Sequence, residues 1–255
     1  MLDAILTSSE KIMHTIPSIL TSCMTFFLCI FFITVMNRLF KFPGLCCYLV
    51  ITSTISNIQL LYTTYYEIIN MHVVLGTVPF CSSFLACDII NKVYGKSNAK
   101  MAIWIVIFCD ILLLFSMLTA IWHKPCITDL ESQENIFAIK KIFLQTPRFL
   151  ISSYITYFVS QRIEIYLFDM AKKIKFIKSK FIKHNITLFI SSVIIDTFVF
   201  TFLAFYLMSP ITFTFDVLND IFWSAIIVRL ICNIGNTAVF NIIYNKSNIQ
   251  TGKSI

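Results

Sequence analysis

Residues 101–122 read MAIWIVIFCDILLLFSMLTAIW, an apolar run that contains one charged residue, Asp110. About 20 such residues are needed to cross the hydrocarbon core of a bilayer as a helix. The run is continuously apolar and does not alternate with polar residues, which favours a helix over a strand of a membrane barrel. This stretch therefore predicts an integral membrane protein.

The composition of the whole chain supports the same class of protein. Hydrophobic residues make up 58% of the 255 residues, charged residues make up 13%, and the mean hydropathy is +0.82. A soluble domain carries roughly 25% charged residues. These values exclude a water-soluble globule, a disordered chain and a small disulfide scaffold.

Seven apolar runs are predicted to form membrane-spanning helices within a single integral membrane domain, residues 1–255. They are 17–36, 44–64, 73–93, 101–122, 147–169, 186–208 and 221–244. The predicted fold class is therefore an all-α polytopic membrane protein. The third run contains Gly76, Pro79 and Asp88, which predict a broken or kinked helix.

Basic residues predict the orientation of the spans. The segments that follow the first, third, fifth and seventh runs hold 13 Lys and Arg residues, and the opposite segments hold four. The positive-inside rule then places the N-terminus outside and the C-terminus inside. The densest cluster, 172–183, interleaves lysines with Ile and Phe, and we interpret it as a segment on anionic lipid rather than a nucleic-acid site. In the long outer loop, 123–146, a short surface helix is predicted near 136–144.

Motifs of enzymes and metal sites are missing from the sequence. The nine cysteines form no CxxC pair, and the four histidines are scattered near the ends of the spans. The sequence also lacks HExxH, GxSxG and phosphate-binding glycine loops. We therefore expect no enzyme activity, no cofactor and no metal site. An ATP-binding motif is missing as well.

Six ionisable residues lie within the predicted spans, where each costs roughly 2.5–3.5 kcal/mol at the bilayer centre. If two of the four carboxylates pair with the two guanidiniums, two carboxylates are left over. Each of these must bind a proton, bind a cation or accept hydrogen bonds from a ligand. Arg229 is the expected partner of Asp196. The alternative is that the set forms interhelical ion pairs or reaches the interface. The six residues are Asp88, Asp110, Arg162, Glu164, Asp196 and Arg229.

The fifth span carries polar and aromatic residues on one face. Tyr157, Gln161 and Glu164 recur at spacings of four and three, so they line one side of a helix together with Ser153 and Phe168. Such a face suits a flat heterocycle, because rings stack on it while amide and carboxylate groups contact its edge. A helix–helix hydrogen-bond seam would show the same pattern.

Four segments in this order resemble the queuosine precursor transporters, also called the vitamin uptake transporter-like family. Residues 51–57, ITSTISN, are similar to the end of the family's first helix. The third span has the family's proline in 78–80, VPF, and its aspartate and aromatic-glycine pair in 88–95, DIINKVYG. The fifth span keeps the family's spacing from Arg148 to Phe168, and 196–200, DTFVF, resembles the family's Asp-Thr-x-x-Phe.

The sequence also departs from the family pattern. Lys92 stands where Glu is frequent, Glu164 where Asp is frequent, and Arg229 where the last helix usually has Lys. The last span lacks an expected proline. The run 17–36 adds one span before the family's core of six.

The resemblance implies uptake of a 7-deazaguanine, such as the cyano or aminomethyl precursor or queuine, for queuosine in tRNA. It places a multi-pass carrier in a bacterial inner membrane, with membrane lipid and a small heterocycle as partners and no nucleic acid. Since the sequence has no ATP-binding motif, such a carrier would need ion coupling, a facilitated route or a separate ATPase. Three alternatives stay open: a carrier for another purine or vitamin, a substrate-binding subunit of an energy-coupling-factor system, and a membrane scaffold without transport. The implied substrate-binding residues are Asn57, Asp88, Tyr157, Gln161, Glu164, Asp196 and Arg229.

Overall fold

The computed structural model describes residues 17–67, 70–124, 130–173, 193–209 and 213–251. The side chains at 130, 160–162, 164–173 and 241–251 lie outside this description. The elements in chain order are α1 Ser18–Gln59, β1 Thr63–Tyr66, β2 Met71–Val74, α2 Thr77–Ile89, a first π-helix Ile90–Tyr94, α3 Lys96–Trp122, α4 Leu130–Phe143, α5 Thr146–Lys173, α6 Asp196–Thr201, a second π-helix Phe202–Leu207 and α7 Phe215–Thr251.

The described chain has the architecture of an α-helical membrane protein. Three stretches are long and apolar enough to cross a bilayer: α1, α3 and the Phe215–Phe240 part of α7. Val193–Leu207 is a shorter apolar helix. Large side chains such as Phe27 on α1 and Trp104 on α3 are exposed on the outside of the fold. Since soluble proteins rarely expose apolar surface of this extent, these faces fit contact with lipid. The number of spans and their orientation stay predictions.

Helix α1 covers most of the first two predicted spans, 17–36 and 44–64. It has 42 residues and bends at Lys41, where φ is 54° and ψ is −133°. Pro43 follows closely, and a proline disfavours helix at the residue before it and removes a backbone donor. A straight helix of this length would be about 63 Å long, roughly twice the hydrocarbon thickness.

The two arms of α1, residues 18–40 and 42–59, pack side by side in opposite directions. Thr21 near the start of the helix and Gln59 at its end line the same cavity. The hydroxyl of Ser22 also hydrogen-bonds that of Tyr66, just beyond the end of the helix. The arms therefore have the geometry of two successive spans joined by a bend.

A β-hairpin follows α1, and the sequence did not predict it. β1 and β2 pair antiparallel, with Thr63 opposite Val74 and Tyr66 opposite Met71. The facing ends of the predicted spans 44–64 and 73–93 were therefore wrong, since α1 ends at Gln59 and α2 begins at Thr77. The residues of both strands are mostly β-branched or aromatic, which favours a strand. Thr63, Thr64, Val73 and Val74 adjoin long apolar runs, so the predicted spans extended over them.

Gly76 allows the hairpin to return closely onto α1. A Cβ atom at this position would lie 2.5 Å from the carbonyl oxygen of Ser56. The hydroxyl of Ser224 on α7 donates to the carbonyl of His72, 2.7 Å away. The hairpin is thus held between the carboxyl arm of α1 and α7.

The remaining predicted elements agree with the described chain in part. The irregularity expected in the third span appears where α2 passes into the first π-helix, which is followed by Gly95 with φ 94°. The runs 101–122 and 147–169 lie within α3 and α5, and 221–244 lies within α7. The outer-loop helix is α4, which begins before the predicted 136–144. The first part of 186–208 lies outside the described residues.

Candidate substrate-binding site

Five helices that carry the predicted site residues contact one another in a closed ring. α1 packs on α2, α2 on α7, α7 on α6, α6 on α5, and α5 on α1. We call this arrangement the five-helix ring. Helices far apart in the sequence are therefore neighbours in the fold. The predicted residues are distributed as Asn57 on α1, Asp88 on α2, Tyr157, Gln161 and Glu164 on α5, Asp196 on α6 and Arg229 on α7.

The α7 side of the ring turns a cation and an amide towards α2. Arg229 is buried, and its guanidinium carbon lies 5.1 Å from the centre of the Phe80 ring. Asn236 follows two turns later on the same face, and its Nδ2 donates to the carbonyl of Cys81 at 2.9 Å. The Oδ1 of Asn236 is buried and has no hydrogen-bond partner within the described part of the chain. This oxygen can accept a hydrogen bond from a ligand.

The α1 side carries three polar residues near the end of its carboxyl arm. Asn57 is buried, as are the Oγ of Ser56 and the Oε1 of Gln59. Neither the Ser56 nor the Gln59 oxygen has a hydrogen-bond partner among the described residues. Buried polar atoms in folded proteins are almost always bonded, so these oxygens point to water or a ligand.

Gln59 borders a cavity of about 90 Å³ between the two arms of α1 and the start of α2. Typical ligand pockets measure roughly 300–1,000 Å³, so this space is too small to hold a bicyclic base by itself. A second cavity, of about 250 Å³, lies away from the ring between the ends of α3 and α4. The residues around the first cavity are Thr21, Ser22, Thr25, Gln59, Leu75 and Val78.

Helix α5 buries a different stripe from the one predicted to face the ligand. Phe149, Ser152 and Thr156 are buried and form one stripe, with spacings of three and four; Thr146 and Leu150 near the start of the helix are buried as well. The predicted face is displaced from this stripe by one residue, and Tyr157 on it is 40% exposed. The Tyr157 ring lies edge-to-face with that of Phe158, 5.8 Å away.

Gln161 and Glu164 lie within α5, but their side chains fall outside the described residues. Their role therefore stays a prediction from their spacing and from the resemblance. The side chain of Arg162 falls outside the description as well.

Asp88 and Asp196 lie at helix ends. Asp88 is exposed in the last turn of α2, one turn before Lys92, whose Nζ lies 4.2 Å above the ring of Phe240. Asp196 is partly buried at the first residue of α6, which contacts α7. The expected pairing of Asp196 with Arg229 stays a prediction.

Arg148 connects α5 to the chain beyond the second π-helix. Its Nη1 donates to the Ser209 hydroxyl at 2.8 Å, and its Nη2 donates to Gln145 Oε1 at 2.9 Å. Its guanidinium also lies over the ring of Phe149, 4.5 Å from the centre. These contacts give Arg148 a structural role.

Two side chains of this site were missed by the sequence reasoning. Gln59 and Asn236 are uncharged amides inside apolar runs. Only charged residues in the spans were considered as a group, although a buried amide also needs hydrogen-bond partners and could have indicated the site. Within the described ranges, no three His, Cys, Asp or Glu side chains are grouped closely enough to hold a metal ion.

Comparison with known proteins identifies the same family as the motifs described in the sequence analysis. The profile of the family described as "Putative vitamin uptake transporter" matches residues 74–243. A curated protein of Bacillus subtilis (strain 168), the "Probable queuosine precursor transporter", is 27% identical over 206 residues, which cover 80% of this chain and 86% of the relative. No solved structure matches the chain significantly. With two thirds of its length matched by that profile, the chain belongs to the vitamin uptake transporter family.

Proposed function

We propose that this protein imports a queuosine precursor, a 7-deazaguanine, across a bacterial inner membrane. The family supports transport of a small molecule, and the name of the Bacillus subtilis relative supports this class of substrate. Asn57, Asp88, Tyr157, Gln161, Glu164, Asp196 and Arg229 are the proposed binding residues, to which we add Gln59 and Asn236.

The observation that carries the proposal is the set of unpartnered buried oxygens on the five-helix ring. They are the Oγ of Ser56, the Oε1 of Gln59, the Oγ1 of Thr156 and the Oδ1 of Asn236, each without a partner in the described part of the chain. A guanine-type edge offers several N–H donors close together. Acceptors without a partner in the described part of the chain would gain hydrogen bonds from such an edge and penalise ligands that lack it.

The charged residues supply the complementary contacts. A carboxylate such as Glu164 can accept two N–H bonds from the guanine-type edge in a charge-assisted pair. Arg229, held against Phe80, can donate to the ring carbonyl. Tyr157 offers an aromatic face for stacking. The ring of helices would thus engage both the plane and the edge of one bicyclic base.

A second candidate is a carrier for another vitamin-like heterocycle, which the description of the matched family favours. Such a substrate would use the same ring but would not need the guanine-type edge. Competition between 7-deazaguanines and other heterocycles separates the two candidates.

Uptake in cells tests the proposal. The recipient cells lack their own carrier and de novo synthesis, receive a labelled 7-deazaguanine, and are scored for queuosine in tRNA. We expect queuosine with the wild-type chain, a strong loss with Asn236→Leu, and no loss with Asn135→Leu, which changes an exposed asparagine on α4. A wild-type protein that is abundant in the membrane but yields no queuosine would reject the proposal.

A further inference from the structure

A carboxyl group outside the ring is buried where two of the ring helices meet. Asp110 on α3 is 2% exposed, whereas Phe108 and Leu112 beside it are 65% and 67% exposed. Helix α3 therefore turns its apolar residues outwards and its single carboxyl group into the protein.

The two oxygens of Asp110 have different surroundings. Oδ2 accepts hydrogen bonds from the Ser53 hydroxyl on α1, at 2.7 Å, and from the Tyr154 hydroxyl on α5, at 3.3 Å. Oδ1 is buried and has no hydrogen-bond partner among the described residues. Within the described contacts, Oδ1 can therefore still accept a hydrogen bond or bind a proton.

Charged groups on the neighbouring elements lie far from Asp110. Helix α3 is packed against α1, the first π-helix, α4 and α5. Asp110 lies near the middle of α3, so each end of that helix is about 20 Å away at ~1.5 Å per residue. Lys92 on the π-helix lies near one end of α3, and Lys140 on α4 lies near the other. Lys41 on α1 lies twelve residues before Ser53, the residue that contacts Asp110, so it is a similar distance away along that helix. On α5, Arg148 is bound to Ser209 and Gln145. Among the described side chains, Ser53 and Tyr154 are the groups that reach Asp110.

A buried carboxylate with only two neutral hydroxyl donors is costly, and binding a proton removes the charge. A metal cation would need several more oxygen ligands than the two hydroxyls and one carboxyl found here. We propose that Asp110 is the proton-binding group through which a proton gradient drives transport, an inference that rests on the proposed transport function. A proton from water on one side forms an O–H bond at Oδ1, and the neutral acid releases the same proton to water on the other side.

The position of Asp110 connects its protonation to the ring. Ser53 lies one helical turn before Asn57, and Tyr154 lies one turn before Tyr157. Hydrogen bonds to a charged carboxylate are stronger than those to a neutral acid, so protonation weakens the junction of α1, α3 and α5. A substrate held between α1 and α5 then changes the proton affinity of Asp110, and the proton changes the affinity for substrate by the same factor.

Two transport assays on the purified full chain in liposomes test this inference. The first measures exchange of labelled for unlabelled 7-deazaguanine without a gradient, and the second measures accumulation driven by an imposed pH gradient. With one coupled proton, we expect the wild type to accumulate substrate up to about tenfold per pH unit. Asp110→Asn should lose this accumulation and keep exchange within about threefold. Asp216→Asn, which changes an exposed carboxylate in the first turn of α7, should keep both.

The outcomes separate the inference from the proposed function. A wild type that performs no exchange rejects the proposed function itself. Exchange without any response to the pH gradient overturns the role of Asp110, as does gradient-driven accumulation by Asp110→Asn. Accumulation driven by a sodium gradient, and lost in Asp110→Asn, overturns the proton assignment.

Substrate binding to the wild type provides a test that does not depend on recovering Asp110→Asn. The affinity should depend on pH, since a single coupled proton links the two equilibria. Tyr154→Phe removes one donor to the carboxylate, so the midpoint of this pH dependence should move to higher pH. An affinity that does not change with pH wherever the protein stays folded overturns the inference.

Discussion

Replacement of Phe80 by leucine tests whether Arg229 is positioned to bind substrate. The guanidinium carbon of Arg229 lies 5.1 Å from the centre of the Phe80 ring, and Arg229 is 7% exposed. A cation–π contact that is shielded from water contributes about 2 kcal/mol. If the ring holds the guanidinium in its binding position, Phe80→Leu should weaken substrate binding by 0.5–2 kcal/mol, about 2- to 30-fold.

A double-mutant cycle separates this contact from general damage to the protein. Equilibrium binding of a labelled 7-deazaguanine is measured on the purified wild type, Phe80→Leu, Arg229→Met and the double variant. Phe80→Leu should have little effect once Arg229 is absent, giving a coupling of about 0.5–2 kcal/mol. Phe108→Leu, at an exposed apolar position on α3, is the matched control and should leave affinity unchanged.

Additive effects would refute the reasoning. A coupling below about 0.3 kcal/mol is within the usual scatter for independent sites, and it would show that the contact does not position Arg229 for substrate. A loss of affinity in the Phe108→Leu control would show that substitution of any phenylalanine perturbs the fold.

Three further predictions concern packing, specificity and topology. Gly76→Ala should lower stability by about 1–3 kcal/mol, measured by thermal unfolding in detergent, because its Cβ would meet the carbonyl oxygen of Ser56 at 2.5 Å; an unchanged melting temperature would contradict the close approach. Glu164→Gln replaces an acceptor with a donor and should weaken uptake of every 7-deazaguanine tested; unchanged affinity for guanine, adenine and a 7-deazaguanine would remove it from the site. Cysteine introduced at Ser132 should react with an impermeant thiol reagent in intact cells, and cysteine at Ser179 should not; the reverse result would invert the topology.

Much of the fold could be predicted because continuous apolar runs need no knowledge of tertiary contacts. The runs 101–122 and 147–169 lie inside single helices for this reason. The hairpin was missed because Thr63, Thr64, Val73 and Val74 adjoin long apolar runs, so a hydropathy pattern includes them in the spans. Helix α1 ends in a turn, and Gly76 then packs closely against its last turns. A hydropathy pattern carries no information about either feature.

The candidate site was predictable at the level of helices and less so at the level of atoms. Spacing placed Tyr157, Gln161 and Glu164 on one helix, and α5 contains all three. Spacing could not show that α5 buries the adjacent stripe, because the packing of neighbouring helices decides which face is covered. The contact of Asp110 with Ser53 and Tyr154 joins three helices, so no local pattern could reveal it.

Ligand competition on the purified protein tests the central claim most directly. Bound labelled 7-deazaguanine is challenged with unlabelled 7-deazaguanine, guanine, adenine and an unrelated vitamin. The acceptor groups on the five-helix ring predict displacement by 7-deazaguanine and by guanine, which share the N–H edge, and little displacement by adenine or the vitamin. Equal displacement by adenine, or no specific binding of the 7-deazaguanine, would contradict the claim that this ring recognises a guanine-type edge.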